Sequence, residues 1–284
     1  MSFTTLITAA ELAQHLPDNK WVVLDCRHDL ANPEAGRSAY AAGHLPQAQF
    51  AHLDCDLAGP KTSQDGQFCG RHPLPERAVF LETLRNWGVD NDTQVVAYDA
   101  SGGMFAARLW WMLRWVGHDA VAVLDGGLPA WQQAGHTLST DAPALRRGTL
   151  TERAALTASV DAAAVLANLA SGSHTVLDAR APDRFRGENE TLDAVGGHIP
   201  NAKNRFFKDN LDADGYFKSA DQLRAEYAAL IDSPQTVINQ CGSGVTACHN
   251  LLAMEIAGLP GAALYPGSWS EWCADPARPV ATGG

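Results

Sequence analysis

The chain has 284 residues, 46% of them hydrophobic, and carries 21 Lys and Arg against 32 Asp and Glu, a formal charge of −11. That is enough apolar material for one large domain or two of ordinary size, and the acidic balance without basic runs excludes a partner gripped by its phosphate backbone. No apolar run is long enough to cross a bilayer, and the opening MSFTTLITAAELAQHL lacks the basic and apolar regions of an export signal, so a soluble cytoplasmic protein is expected.

In chain order, the N-terminus predicts a short strand or loop and then a helix, with Thr8 and Glu11 at capping-box spacing. Val23-Leu24-Asp25-Cys26-Arg27 follows, then Gly43-His44-Leu45-Pro46. Thr93 to Tyr98 predicts a buried strand ending at Asp99. After it come a turn at Ser101-Gly102-Gly103, a helix over Met104 to Val116, and a C-cap at Gly117. Leu124-Asp125-Gly126-Gly127 with Trp131 closes this half.

The second half repeats these landmarks in the same order. It has Val176-Leu177-Asp178-Ala179-Arg180, then Gly197-His198-Ile199-Pro200. A strand over Thr236 to Asn239 runs into Cys241, a turn at Gly242-Ser243-Gly244, and a helix over Val245 to Ala257 capped by Gly258. Leu264-Tyr265-Pro266-Gly267 with Trp269 and Trp272 closes it. Four matched landmarks imply a duplication: residues 1–143 as one domain, ending where Asp141-Ala142-Pro143 breaks structure, 144–158 as a linker with Arg146-Arg147-Gly148, and 159–284 as the other. Short strands alternating with helices predict α/β domains, each with a mostly parallel sheet flanked by helices. In such sheets ligands bind beyond the carboxyl ends of the strands, where both Asp99 and Cys241 fall.

Six cysteines occur, none in a Cys-x-x-Cys pair, and without an export signal they read as free thiols. Cys55 and Cys69 with His72 lack the short spacing of a zinc corner, so no metal is expected. Cys26 stands where the second half has Ala179, and Cys248 lies two turns into a helix; both read as packing.

Cys241 differs in context. A strand ends, a glycine-rich turn curls the backbone so that N–H groups point inward, and a helix start adds positive potential. Such a loop, Cys241-Gly242-Ser243-Gly244-Val245-Thr246, suits an anionic sulfur nucleophile or a persulfide. The bland alternative is a small buried hydrophobe beside a turn.

The chain resembles the tandem-domain rhodanese/3-mercaptopyruvate sulfurtransferase family over nearly its whole length. The resemblance is carried by Asp178-Ala179-Arg180 with Arg184-Phe185-Arg186-Gly187, by Gly197-His198-Ile199-Pro200, by the CGSGVT loop, and by Gly267-Ser268-Trp269-Ser270-Glu271-Trp272. It implies two rhodanese-like domains, a nucleophile in the second alone, and a catalytically silent first domain with Asp99 at the cysteine position. It also implies no metal or organic cofactor, a small-molecule sulfur donor, and a thiol or cyanide acceptor. A thioredoxin-like reductant is among the expected partners, and the chain is expected to be a monomer.

Members acting on thiosulfate carry Arg-Lys after the cysteine, whereas members acting on 3-mercaptopyruvate carry Gly-Ser, as Gly242-Ser243 does here. The resemblance further implies that Ser243, His72 and Asp54 form a proton relay, with Asp56 as the alternative acid. It implies likewise that the loop residues Gly242, Gly244, Val245 and Thr246 cradle the substrate and that Arg184 holds its carboxylate. A second family arginine is expected shortly before Gly197-His198-Ile199-Pro200, where this chain has Glu190-Thr191-Leu192-Asp193; Arg186 is the candidate to compensate.

Three competing functions are thiosulfate sulfurtransfer, phosphatase chemistry, and a non-catalytic persulfide carrier or interaction module. The phosphatase needs an arginine where Ala247 stands. His44 and His198, the Asp25/Arg27 and Asp178/Arg180 pairs, and the tryptophans Trp110, Trp111, Trp115, Trp269 and Trp272 read as structural.

Overall fold

A computed structural model describes residues 2–16 and 18–284, which divide into two compact units. The first holds the described residues up to Ala58, with Pro75–Leu156 and Ala213–Phe217. The second holds Gly59–Leu74, Thr157–Asp212 and Lys218–Gly284.

The first unit runs β1 (Leu6–Ile7), α1 (Ala9–His15), β2 (Trp21–Asp25), α2 (Ala35–Ala42), β3 (Gln49–Phe50) and α3 (Leu53–Asp56). It continues with α4 (Arg77–Asn86), β4 (Gln94–Tyr98), α5 (Ala106–Trp115), β5 (Val121–Leu124) and α6 (Gly127–Gln133). Its five strands are all parallel, in the order β1-β5-β4-β2-β3. The second unit runs β6 (Ala158–Ser159), α7 (Ala162–Ser171), β7 (Thr175–Asp178), α8 (Pro182–Arg186), β8 (Lys203–Asn204) and α9 (Ala220–Ala228). It ends with β9 (Val237–Gln240), α10 (Thr246–Ile256), β10 (Ala263–Leu264) and α11 (Ser268–Trp272). Its sheet repeats the first, β6-β10-β9-β7-β8, again all parallel.

Parallel sheets bury both faces, so their central strands lose the apolar–polar alternation of an exposed sheet. Every residue of β4 and of β9 is buried. The helices that follow them are buried nearly all round, over Ala106–Leu113 and Thr246–Met254, with polar members that keep hydrogen-bond partners inside: Arg108 donates to the Leu57 carbonyl, and Asn250 accepts from Asn210. Trp110, Trp111, Trp269 and Trp272 are core residues, while Trp115 is only half-buried. Gly117 and Gly258 close the two helices with φ of 86° and 70°, and Thr8 and Glu11 form the capping box.

The repeated pairs build the same brace twice. Arg27 grips Asp25 with two nitrogens and donates to the Gly43 carbonyl at 2.7 Å. Arg180 grips Asp178 likewise and donates to the Gly197 carbonyl at 2.6 Å. His44 and His198 anchor the following turns through bridges to Ser139 and Ala281.

Residues 144–156 lie along the first unit. The Gly148 N–H donates to Arg85, Leu150 to Val89 and Arg153 to Val116, so the segment is a strap hydrogen-bonded through its backbone. Glycine at 148 is required by space, since a Cβ there would sit 2.1 Å from the Val89 carbonyl oxygen. The stretch Gly59–Leu74, inside the range read as the first domain, groups with the second unit.

Candidate active site

Register places the chemistry. Asp178 lies opposite Gln240 in the β7–β9 pairing, so the residue after Gln240 emerges at the carboxyl end of the central strand. That residue is Cys241, 2% exposed. The start of α11 clasps its loop. The Cys241 N–H donates to Ser268 Oγ at 3.1 Å, Trp269 N–H donates to the Cys241 carbonyl at 3.0 Å, and Ser270 N–H donates to the Gly242 carbonyl at 3.0 Å. Ser268 holds this geometry at φ 54°, a strained value for a non-glycine residue. The Gly267-Ser268-Trp269-Ser270 motif is therefore the outer wall of the cysteine loop.

Gly244 turns the loop at φ 76°, where an added Cβ would meet the Pro266 carbonyl oxygen at 2.4 Å. Val245 precedes α10 without a side-chain cap, and Thr246 opens that helix. The helix start therefore faces the loop with its backbone, and the dipole favours negative charge there.

The first unit holds the corresponding loop with an anion already in it. Asp99 directly follows β4 and is fully buried. Its carboxylate accepts N–H bonds from Ser101, Gly103, Phe105 and Ala106 at 2.7 to 3.0 Å. The Leu128 N–H donates to the Asp99 carbonyl, as Trp269 does to Cys241. A strand–turn–helix loop of this build thus cradles a negative group.

The second unit brings together two of the three expected relay residues. His72 Nδ1 lies 2.7 Å from Ser243 Oγ, and both side chains are buried, at 5% and 6% exposure. His72 is supplied by the 59–74 stretch of the same unit. Asp54 belongs to the first unit, on α3, with its carboxylate 3.9 Å from His28 Nε2; Asp56 accepts from the His52 N–H. Among the described residues His28, His52 and Asp54 are a group of potential metal ligands, but His52 Nδ1 already accepts the Asp54 N–H.

Arg184 reaches the loop, with both terminal nitrogens 3.7 Å from where a Gly242 Cβ would stand. Its guanidinium is also engaged by Glu190, at 2.8 and 2.9 Å, and by Asp193 at 3.5 Å. Burial raises the Glu190 pKa, but the Arg184 bond and the Leu192 and Asp193 amides outweigh it and hold the carboxyl below its ordinary value. Arg186 is committed elsewhere, paired with Glu188 through two hydrogen bonds.

Sequence reasoning missed Arg71, whose Nη2 would lie 2.7 Å from a Gly242 Cβ, closer than Arg184. Its signal was indirect: a loop without a cation, and two acids where an arginine was expected. Arg180 also touches the site electrostatically. Burial opposes its charge, but Asp178, Glu190 and the Cys241 sulfur together hold its pKa above the ordinary arginine value. Burial and nearby carboxylates push the thiols of Cys26 and Cys55 up, and that of Cys273 to about 11.

A model of the rhodanese-like domain matches residues 8–134 and 161–275. A probable 3-mercaptopyruvate sulfurtransferase of Pseudomonas aeruginosa is 46% identical over all of both chains. The thiosulfate sulfurtransferase of Bos taurus is 36% identical over 88% of this chain and 84% of its own. Among solved structures, the 3-mercaptopyruvate sulfurtransferase from Leishmania major superposes with a TM-score of 0.83 at 29% identity, covering 95% of this chain and 74% of that one.

Proposed function

The chain belongs to the rhodanese-like family and is a sulfurtransferase, and on that premise we propose that it moves sulfur from 3-mercaptopyruvate to a thiol or to cyanide through a Cys241 persulfide. The observation that carries this reading is the glycine-turned loop of Cys241, closed by α11 and opened toward the start of α10.

In the first step the Cys241 thiolate attacks the donor sulfur. A sulfur–sulfur bond forms, the donor carbon–sulfur bond breaks, and its electron pair leaves as the enolate of pyruvate. That carbon then takes a proton, and the outer sulfur gives one up. Overall a proton passes from sulfur to carbon while Cys241 gains one sulfur. Ser243 and His72, hydrogen-bonded to each other beside the loop, are placed to carry it. Gly242, Gly244, Val245 and Thr246 present the backbone that stabilises the outer sulfur anion. In the second step an acceptor thiolate or cyanide attacks the outer sulfur, and the Cys241 thiolate leaves.

A second reading, thiosulfate as donor, is favoured by the two guanidinium groups at Gly242, which would receive a dianion as well. Initial rates with the two donors decide. A higher kcat/KM for 3-mercaptopyruvate is expected, and a strong preference for thiosulfate would overturn the donor assignment. Among the described residues no helix is long and apolar enough to cross a membrane. The proposal includes a cytoplasmic setting, a monomeric chain and a thioredoxin-like reductant as one acceptor.

A further inference from the structure

The two sheets differ at the last residue of the central strand. In the first unit that residue is Tyr98, the register partner of Asp25. Register partners on neighbouring parallel strands present their side chains to the same face. The Tyr98 hydroxyl donates to Asp25 Oδ2 at 2.6 Å and accepts the Leu45 N–H at 3.1 Å. One phenol oxygen thus ties the Asp25–Arg27 brace to the turn after His44. Tyr98, Asp25 and Leu45 are all fully buried, so each of these polar groups depends on the others for a partner.

In the second unit Gln240 takes that place, as the register partner of Asp178 and the residue before Cys241. Gln240 is fully buried, and neither Oε1 nor Nε2 meets a hydrogen-bonding partner. Ile199 stands where Leu45 does, one residue past the bridged His198. It too is fully buried, and its N–H meets no acceptor among the described residues. Asp178 keeps the brace: Oδ1 accepts the Arg180 N–H at 2.9 Å, and Oδ2 accepts Arg180 Nη2 at 2.7 Å. Among the described residues no hydroxyl adds the further bond that Tyr98 gives Asp25. A glutamine side chain is shorter than a tyrosine, so its amide stops short of where the phenol oxygen would lie. A carboxylate, a backbone N–H and an amide that can donate and accept therefore converge on one buried point. Native proteins pair nearly all buried polar groups, and internal water does so where the chain supplies no partner.

We infer that the second unit holds an internal hydration site at this point, where one water molecule takes the role of the Tyr98 hydroxyl. The water accepts the Ile199 N–H, donates one hydrogen to Asp178 and bonds the Gln240 amide with the other. Three bonds are the usual complement of a buried water. Asp178 is already paired with Arg180, so a neutral occupant fits and a cation does not. The site lies under the root of the nucleophile's loop, since Gln240 immediately precedes Cys241. The catalytic copy thus joins its brace to the Gly197-His198-Ile199 turn through an exchangeable molecule, where the first copy uses a side chain. The inference goes beyond the sulfurtransferase reading and does not rest on it.

The test is a crystal structure of the full chain at a resolution that shows ordered water, with urea unfolding of wild type, Gln240→Tyr and Gln240→Leu. In wild type a water peak should lie roughly 2.6–3.2 Å from the Gln240 amide, the Asp178 carboxylate and the Ile199 nitrogen. In Gln240→Tyr the phenol oxygen should replace it, and oxygen-17 relaxation dispersion should count one long-lived internal water fewer. Gln240→Leu removes the amide that anchors the water and strands the Ile199 N–H, so the urea midpoint should fall by roughly 0.5 M. An amide left dry and unpaired gives the opposite sign, because replacing it with an apolar side chain then stabilises the fold. A raised midpoint in Gln240→Leu therefore overturns the inference. A wild-type structure with the amide bonded directly to the protein and no water at the point overturns it too, as does an unchanged water count in Gln240→Tyr. If Gln240→Tyr does not fold, the wild-type density and the sign of the Gln240→Leu shift decide.

Discussion

Asp99 and Cys241 occupy one station in two copies of a sheet: each is the first residue past the central strand, and each has its carbonyl bound by the N–H of a later helix. The carboxylate at that station accepts four backbone N–H groups. The first copy thus displays the anion-holding capacity that the proposed function assigns to the Cys241 loop.

Removing that carboxylate should destabilise the first unit. Asp99→Ala leaves buried N–H groups without their acceptor, and each orphan costs about 1–3 kcal/mol. A net loss of about 3–5 kcal/mol is expected after partial relaxation. Denaturant unfolding of the full chain, following the first transition, checks this; a change below about 1 kcal/mol would refute the cradle.

The Ser243–His72 pair should act on the donor half-reaction. Ser243→Ala is expected to slow Cys241 persulfide formation from 3-mercaptopyruvate by about 100-fold, the lower range for general acid–base catalysis. Transfer of the outer sulfur to cyanide needs no proton at carbon, so it should change much less. Rapid-quench measurement of each half-reaction separates the two. Equal slowing of both would show that the serine only shapes the loop.

Much of this was legible beforehand because the chain says it twice. The Asp25/Arg27 and Asp178/Arg180 braces, the strand-to-turn steps at Asp99 and Cys241, and the two buried helices each have a partner half a chain away. A residue kept in both copies reads as structural, and the ring nitrogens of His44 and His198 do meet backbone carbonyls, of Tyr40 and Asp141 and of Phe185. What was not legible depends on contacts between distant segments. Nothing local marks residues 59–74 as part of the second unit, so Arg71 passes for an ordinary loop residue. The strap over 144–156 was hidden similarly: its backbone bonds to Arg85, Val89 and Val116, and its side-chain bonds from Arg146, Arg147, Thr149 and Thr151, all reach residues far back in the sequence. The acids Glu190 and Asp193 were visible only as a missing arginine, although buried acids require cations nearby.

Glu190 gives a pH dependence with a definite sign. Its folded pKa lies below the ordinary 4.5, so its ionised form is favoured by folding. That contribution is fully present above about pH 4.5 and is lost as pH falls toward the lower folded value. Glu190→Gln should therefore flatten the loss of stability in acid below about 4.5 while lowering stability at neutral pH. Thermal melts across that range check it, and parallel curves for the two proteins would contradict the pairing with Arg184.

The central claim is that Cys241 carries the sulfur. Peptide mass spectrometry of the chain after brief exposure to 3-mercaptopyruvate should find one added sulfur on the peptide containing Cys241, lost on adding cyanide as thiocyanate appears, with no turnover in Cys241→Ser. Pyruvate release with that peptide unmodified, or undiminished turnover in Cys241→Ser, would contradict it.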